Sequence, residues 1–75
     1  MISISISATG KIKQFISEEK VIQISEDRQL NDLKLDVGIP SNQVCGFMVN
    51  GSIKRGTDTL CDGDDLKFIM LVGAG

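Results

Sequence analysis

Histidine, tryptophan and tyrosine are all missing from this sequence of 75 residues. Without histidine, the chain lacks the side chain that most often serves as a general base in catalysis. It also has no glycine-rich phosphate-binding loop and no nucleophile paired with a base. We therefore expect that the chain is not an enzyme.

Cysteine is scarce, since only Cys45 and Cys61 occur. Two cysteines are too few for a disulfide scaffold or for a plant-type iron–sulfur cluster, and they lack the paired spacing of a zinc site. We expect a reduced, intracellular protein, with Cys45 buried in a strand and Cys61 exposed in a turn. Cys61 has no basic neighbour in the sequence, so a role in persulfide handling is disfavoured.

Positive charge is also limited, because 8 Lys and Arg residues stand against 10 Asp and Glu residues, which gives a formal net charge of -2. This balance offers no attraction to a phosphate backbone or to an anionic membrane surface. The N-terminus alternates Ile with Ser and has no basic flank, so neither a signal peptide nor a membrane span is predicted. We expect a cytoplasmic protein that binds neither nucleic acid nor membranes.

A cluster of acidic residues, Asp58, Asp62, Asp64 and Asp65, is the only group that resembles a metal loop. It lacks the regular ligand spacing and the closing Glu of a calcium site. We therefore expect a solvated turn, and no metal or other cofactor is predicted.

A chain of this length supports one domain, residues 1–75, with one small core. Apolar residues make up 41% of the chain. The core must be largely aliphatic, because Phe15, Phe47 and Phe68 are the only aromatic residues. Such a core is sufficient for a marginally stable fold.

The apolar pattern of the first half predicts two strands. Ile2, Ile4 and Ile6 alternate with serines, which is typical of a half-buried strand. Residues 21–24 form a second β-branched run. The segment between them, residues 8–20, fits a short helical turn as well as a hairpin strand, so both alternatives stay open.

One helix is predicted after the second strand. Residues 25–27, Ser-Glu-Asp, carry side-chain oxygens that suit the start of a helix. Leu30, Leu33 and Val37 then lie on one helical face, and Gly38 provides a stop. The spacing predicts a helix of about three turns.

The second half predicts three more strands. Residues 43–49 form the first of them, and Asn50-Gly51 favours the positive φ angles of a tight turn before residues 52–54. Residues 66–72 form the last apolar strand. The order of elements predicts an α+β fold in which a mixed sheet of four to five strands packs on one main helix.

Three segments carry a resemblance to a known family. They are Val-Asn-Gly at residues 49–51, the stretch 58–66 with its Asp-Gly-Asp turn, and the final strand that ends at residues 73–75. In order and spacing they resemble the sulfur-carrier family of ubiquitin-like proteins, the ThiS and MoaD type. The similarity is clear over residues 30–75 and weak before them. It implies a ubiquitin-like β-grasp fold with a C-terminal tail.

The resemblance also implies a role for that tail. An E1-like adenylating enzyme would use ATP to adenylate the C-terminal carboxylate of Gly75, and sulfur from a persulfide would then displace AMP and leave a thiocarboxylate. A sulfur-accepting synthase subunit would use this sulfur for a molybdopterin, tungsten cofactor or thiamin precursor. Gly73 and Ala74 would form the threading tail, because glycine has no Cβ and passes through a narrow channel.

Ala74 departs from the Gly-Gly ending that is usual in the family. Its methyl group adds bulk where the activating channel is tightest, and it narrows the allowed backbone angles. Slower activation, dependence on a matched partner enzyme and absence of activation all remain open.

A docking surface is predicted on the outer face of the sheet. Lys67 should face solvent, which places Ile69 and Leu71 on the same side of the last strand. The opposite, core-facing side carries Leu66, Phe68 and Met70. By resemblance to ubiquitin-like folds, Met48 lies on the outer face too. We expect Met48, Ile69 and Leu71 to bind a partner, with ordinary scattered surface residues as the alternative.

Two other functions fit parts of the same pattern. A ubiquitin-like interaction module would bind through its sheet and never use its terminus, which is consistent with Ala74. A TGS-type regulatory domain is a weaker alternative, since the acidic balance disfavours RNA. The sequence does not distinguish small-molecule sulfur transfer from protein conjugation.

Overall fold

The computed structural model describes residues 1–70. Five strands, one α-helix and one short 3-10 helix make up this part of the chain. In chain order they are β1 Ile2–Ala8, the 3-10 helix Gly10–Gln14, β2 Lys20–Ile24, α1 Leu30–Asp36, β3 Gly46–Val49, β4 Ser52–Lys54 and β5 Asp65–Ile69. The 3-10 helix resolves the open segment 8–20 in favour of a helical turn.

The five strands form one sheet in the order β2-β1-β5-β3-β4. Strand β5 is parallel to β1 and antiparallel to β3, and the remaining neighbours are antiparallel. The predicted mixed sheet of four to five strands with one main helix is confirmed. The strand that ends the described chain lies at the centre of this sheet.

The core lies between one face of the sheet and the helical segments. Ile2, Ile4 and Ile6 are buried in β1, as their alternation predicts. Phe47 and Phe68 pack edge to face, with ring centroids 5.8 Å apart, a favoured geometry for aromatic pairs. Further buried side chains come from both helices, the loops and the other strands: Ala8, Ile12, Ile16, Ile24, Leu30, Leu33, Ile39, Val49, Leu60 and Leu66.

The start of α1 differs from the prediction. Gln29, not a residue of segment 25–27, is the N-cap, and it makes no side-chain capping hydrogen bond. Instead, the amide of Leu30 donates to the carbonyl of Asp58 at 3.0 Å, and the amide of Asn31 donates to the carbonyl of Gly56 at 2.8 Å. A distant loop therefore satisfies the amides that a side-chain cap would otherwise bind.

The end of α1 is close to the predicted stop, but the helix is shorter than expected. It has 7 residues, or about two turns rather than three. Gly38 has φ of +97° and donates to the carbonyl of Leu35, while Ile39 donates to that of Lys34. This is the Schellman arrangement that ends a helix at a glycine, and Val37 is the C-cap residue.

The strand boundaries in the second half also differ from those predicted. Strand β3 begins only at Gly46, so Cys45 precedes it and is half-buried instead of buried. Burial raises the pKa of the Cys45 thiol, which disfavours the reactive thiolate. Cys61 is exposed, as expected.

The last strand ends earlier than predicted. Strand β5 stops at Ile69, so Met70 is 37% exposed and is not the core residue that alternation predicts. Leu66 and Phe68 are buried as expected. Within residues 1–70, no helix is long and apolar enough to cross a membrane.

Candidate functional site

Strand β5 is paired on both sides up to Phe68, and its last residue, Ile69, is paired with β3. Phe68 lies opposite Ala8 of β1, and Ile69 lies opposite Gly46 of β3. The carbonyl of Phe68 also accepts a hydrogen bond of 3.0 Å from the amide of Thr9. The point at which the chain leaves the sheet is therefore fixed by two neighbouring strands. The proposed tail residues Gly73, Ala74 and Gly75, and the proposed docking residue Leu71, lie outside the described residues.

The side chain of Asn50 ties the Val-Asn-Gly turn to the start of β5. Its Nδ2 donates to Asp64 Oδ1 at 2.9 Å, and its Oδ1 accepts from the Asp65 amide at 2.9 Å. The Asn50 amide donates to the Asp65 carbonyl at 3.0 Å. The second carboxylate oxygen of Asp64 accepts from the Cys61 amide at 2.8 Å. The residues that carry the family resemblance thus place β5 in the sheet.

The Asp-Gly-Asp turn is joined to β1 as well. The carboxylate of Asp62 accepts a hydrogen bond of 2.8 Å from the Ser3 amide. The Gly63 amide donates to the Ser3 carbonyl at 2.8 Å, and Gly63 has φ of +85°, a conformation that glycine adopts without strain. The turn therefore fixes β5 against β1 before the parallel pairing begins.

Three of the four clustered acidic residues accept hydrogen bonds from backbone amides. Besides Asp62 and Asp64, Asp58 accepts a hydrogen bond of 2.7 Å from the Arg55 amide. Over residues 1–70, no group of three His, Cys, Asp or Glu side chains is arranged to hold a metal ion. Asp58, Asp62 and Asp64 thus hold turns in place.

Replacing Asp64 with Asn tests this structural role. Asp64 accepts hydrogen bonds with both oxygens, whereas Asn would turn an NH₂ group toward one of the two donors. We expect Asp64→Asn to lower the free energy of unfolding by about 1–2 kcal/mol. Urea denaturation measures this loss.

Asp65→Asn provides the matched control for that variant. The Asp65 side chain is exposed, and its substitution should change the free energy of unfolding by less than about 0.5 kcal/mol. Equal losses for the two variants would contradict the role assigned to Asp64.

The outer face of the sheet brings together two of the predicted docking residues. Met48 lies opposite Lys67 on one side and opposite Ile53 on the other. Ile69 lies on the same face, opposite Gly46. Met48 and Ile69 are half-buried, so Ile69 is less exposed than predicted, while Lys67 is exposed. We refer to Met48, Ile53 and Ile69 as the outer patch.

Ile53 is the member of the outer patch that the sequence analysis missed, although it is 65% exposed. The signal that identifies it is the length of the turn. Asn50 and Gly51 have φ of +52° and +85°, as in a two-residue hairpin turn. Such a turn pairs Val49 with Ser52 and therefore Met48 with Ile53.

The outer patch ends at β1. The middle of the face carries Ser5 and Ser7 of β1, which lie opposite Asp65 and Lys67. Beyond them, Val21 of β2 lies opposite Ser5 and is 69% exposed. Val21 is thus an exposed apolar residue on the same face, separated from the outer patch by the serines of β1.

Comparison with known proteins gives matches among solved structures only. No protein-family model matches the chain, and no curated protein sequence matches it. Three similar structures cover most of this chain and nearly all of their own length.

The first is described as molybdopterin converting factor subunit 1 of Pyrococcus furiosus; it has a TM-score of 0.75 and 17% identity, and the match covers 92% of this chain and 97% of that chain. The second is small archaeal modifier protein 1 of Haloferax volcanii, with a TM-score of 0.70 and 10% identity, and the match covers 92% of this chain and 97% of that chain. The third belongs to a complex of subunits 1 and 2 of the molybdopterin-converting factor of Helicobacter pylori, with a TM-score of 0.66, 20% identity, and coverage of 99% and 100%.

At these identities the likeness is one of fold, and it agrees with the resemblance to ThiS and MoaD type proteins. The chain has the ubiquitin-like β-grasp fold, as do the small molybdopterin converting factor subunits and the small archaeal modifiers to which it is similar.

Proposed function

We propose that this chain is a sulfur carrier whose Gly75 carboxylate is adenylated by an E1-like enzyme and converted to a thiocarboxylate. The observation that carries the proposal is the placement of β5. This strand is paired with β1 as far as Phe68 and with β3 as far as Ile69, and the sequence continues from it to Gly73, Ala74 and Gly75. An extended segment of small residues enters a narrow active-site channel without side-chain clashes.

The chemistry takes place on the carboxylate and in the partner enzymes. Adenylation joins one carboxylate oxygen of Gly75 to the α-phosphate of ATP and releases pyrophosphate. A persulfide sulfur then attacks the acyl carbon, and that oxygen leaves with AMP. A thiol cleaves the sulfur–sulfur bond, is itself oxidised to a disulfide, and leaves the thiocarboxylate. The chain is thus a co-substrate and not a catalyst.

The proposed acceptor is a synthase subunit that transfers the sulfur to a molybdopterin, tungsten cofactor or thiamin precursor. A solved neighbour described as part of a complex of subunits 1 and 2 of the molybdopterin-converting factor supports such a partner. We place the reaction in the cytoplasm, where ATP and persulfide donors are present.

An intact-mass measurement tests the proposed function. The protein is incubated with ATP, a sulfur donor and the adenylating enzyme encoded nearest to it in its own genome. The expected result is a mass gain equal to the exchange of one oxygen for sulfur, mapped to Gly75. An unchanged mass, with the same enzyme shown to act on a carrier that ends in Gly-Gly, would reject the carrier and favour an interaction module.

The outer patch, together with Leu71, is the proposed docking surface for the adenylating enzyme. Ile53→Ser should raise the KM for the carrier about tenfold and leave kcat unchanged, because it removes binding area without touching the tail. Steady-state kinetics of adenylation measures both constants.

Val21→Ser is the matched control for this surface. Val21 is as exposed as Ile53 and lies on the same face of the sheet, but outside the outer patch. We expect its KM to stay within about twofold of that of the unchanged protein. An equal rise in KM for both variants would contradict the assignment of the outer patch as the docking surface.

Protein modification is a second candidate, favoured by the likeness to small archaeal modifier protein 1. It would use the same Gly75 adenylate but attach the carboxyl carbon to an amine of a target protein. A sulfur carrier gains one sulfur, whereas a modifier forms a covalent species larger than either protein. Denaturing electrophoresis of the reaction in the presence of cell protein distinguishes the two.

A further inference from the structure

Met70, the first residue after β5, lies against Gly10 at the start of the 3-10 helix. Gly10 has φ of +59°. A Cβ atom at this position would lie 2.9 Å from Met70 Cγ and 3.9 Å from Met70 Cβ. The first of these distances is shorter than the separation of about 3.5–4.0 Å at which two carbon atoms make a favourable van der Waals contact. Because Gly10 has no side chain, the side chain of Met70 packs directly against the backbone at this position.

This contact distinguishes Gly10 from the other described glycines with positive φ. Gly38, Gly51 and Gly63 have φ of +97°, +85° and +85°. A Cβ atom at any of the three would have no neighbour within 4 Å. Backbone conformation alone accounts for glycine at those positions, whereas Gly10 also makes room for the residue that follows β5.

The backbone on either side of the contact is already fixed. The Thr9 amide donates to the Phe68 carbonyl at 3.0 Å, so the residue before Gly10 is bonded to the residue two positions before Met70. The 3-10 helix itself is anchored by Ile12, which is fully buried. A side chain at position 10 would therefore displace Met70 more readily than the helix beneath it.

We propose that Gly10 is a positioning residue for the reaction at Gly75. Because Gly10 has no side chain, Met70 lies close against the 3-10 helix, and this contact fixes the last described residue before the tail. The inference rests on the proposed function, since a reach toward a partner's nucleotide requires a defined starting point.

The first test is independent of activity and compares Gly10→Ala with Gly38→Ala. Both variants place alanine at a positive φ and share that backbone strain, but only Gly10→Ala meets Met70. We expect ¹H–¹⁵N spectra of Gly10→Ala to show shifted amide signals for Met70 and residues 71–75, with those signals unchanged in Gly38→Ala. Unchanged tail signals in Gly10→Ala would overturn the proposal.

The second test measures thiocarboxylate formation with the adenylating enzyme. Gly10→Ala should lower kcat about tenfold with KM unchanged, as expected of a misplaced reactive group, whereas Gly38→Ala should stay within about twofold of the unchanged protein. In the Met70→Ala background, Gly10→Ala should lower kcat much less, because the clashing Cγ is gone. Equal kcat losses for Gly10→Ala and Gly38→Ala, or an equal loss in both backgrounds, would overturn the proposal.

Thiocarboxylate formation by the unchanged protein distinguishes a failure of this inference from a failure of the proposed function. If it forms no thiocarboxylate with an active enzyme, the carrier function fails, while the spectra still decide whether Gly10 places the tail. If it forms the product and Gly10→Ala forms it at the same rate, only the positioning role of Gly10 fails.

Discussion

Deletion of Gly75 is expected to abolish thiocarboxylate formation and to leave the free energy of unfolding unchanged. The deletion withdraws the carboxylate by one residue, or about 3.5 Å of extended chain, and ends the chain on Ala74. Misplacement of a reacting group by even about 1 Å can lower a rate a hundredfold. The buried residues of the described chain all lie at or before Phe68, so the core keeps its contacts.

Intact mass and urea denaturation on the same samples test both parts of this expectation. A chain with one serine appended after Gly75 is the complementary variant, since it retains every residue but moves the carboxylate beyond the expected position. It should also fail to gain sulfur and should bind the adenylating enzyme through the outer patch. Persistence of sulfur transfer in the deletion variant would contradict the assignment of the reaction to Gly75.

The largest effect on stability is expected from Phe68→Ala. Phe68 is 0% exposed and packs edge to face against Phe47, in the strand at the centre of the sheet. Truncation of a buried phenylalanine costs about 3–5 kcal/mol. A domain of this size has a total stability near the lower end of the usual range of about 5–15 kcal/mol, so the variant should retain at most about 2 kcal/mol.

Two further variants serve as comparisons for Phe68→Ala. Phe68→Leu retains most of the buried volume and should lose a smaller part of the free energy of unfolding, about 1–2 kcal/mol. Lys67→Ala changes the adjacent, exposed residue of the same strand and should lie within about 0.5 kcal/mol of the unchanged protein. Thermal unfolding followed by circular dichroism ranks the three, and a loss in Phe68→Ala no larger than that in Lys67→Ala would contradict the core position.

The features that the sequence predicted correctly are those specified by neighbouring residues. Alternation of Ile and Ser fixes which face of β1 is buried, because successive side chains of a strand point to opposite sides. Asn50 and Gly51 adopt the positive φ angles expected of them, and Gly38 ends the helix as predicted. Each of these signals lies within a few residues of the structure that it determines.

The errors arise where distant parts of the chain decide the local structure. The amides of Leu30 and Asn31 donate to the carbonyls of Asp58 and Gly56, respectively, so the oxygens of segment 25–27 are not needed as caps. Propensity within one segment cannot identify a partner more than twenty residues away. Likewise, Met70 follows the core-facing alternation of β5, but the strand ends before it.

The candidate site was predicted only in part, because some of its residues follow from local patterns and one follows only from strand pairing. Met48 and Ile69 were assigned to the outer face by alternation and by the resemblance to ubiquitin-like folds, and the register of β3 and β5 places both there. Ile53 was missed because an isolated apolar residue between Ser52 and Lys54 gives no periodic signal. Only the pairing across the two-residue turn brings it next to Met48.

The position of β5 also bears on how the chain folds. The β3–β4 hairpin joins segments that are close in sequence, and β-hairpins form within about 1–10 microseconds. In contrast, β5 pairs Ser5 with Asp65, and contacts of such long sequence separation slow folding. Residues 65–69 follow the other four strands in the chain, so during synthesis on the ribosome the sheet cannot close around its central strand until these residues have emerged.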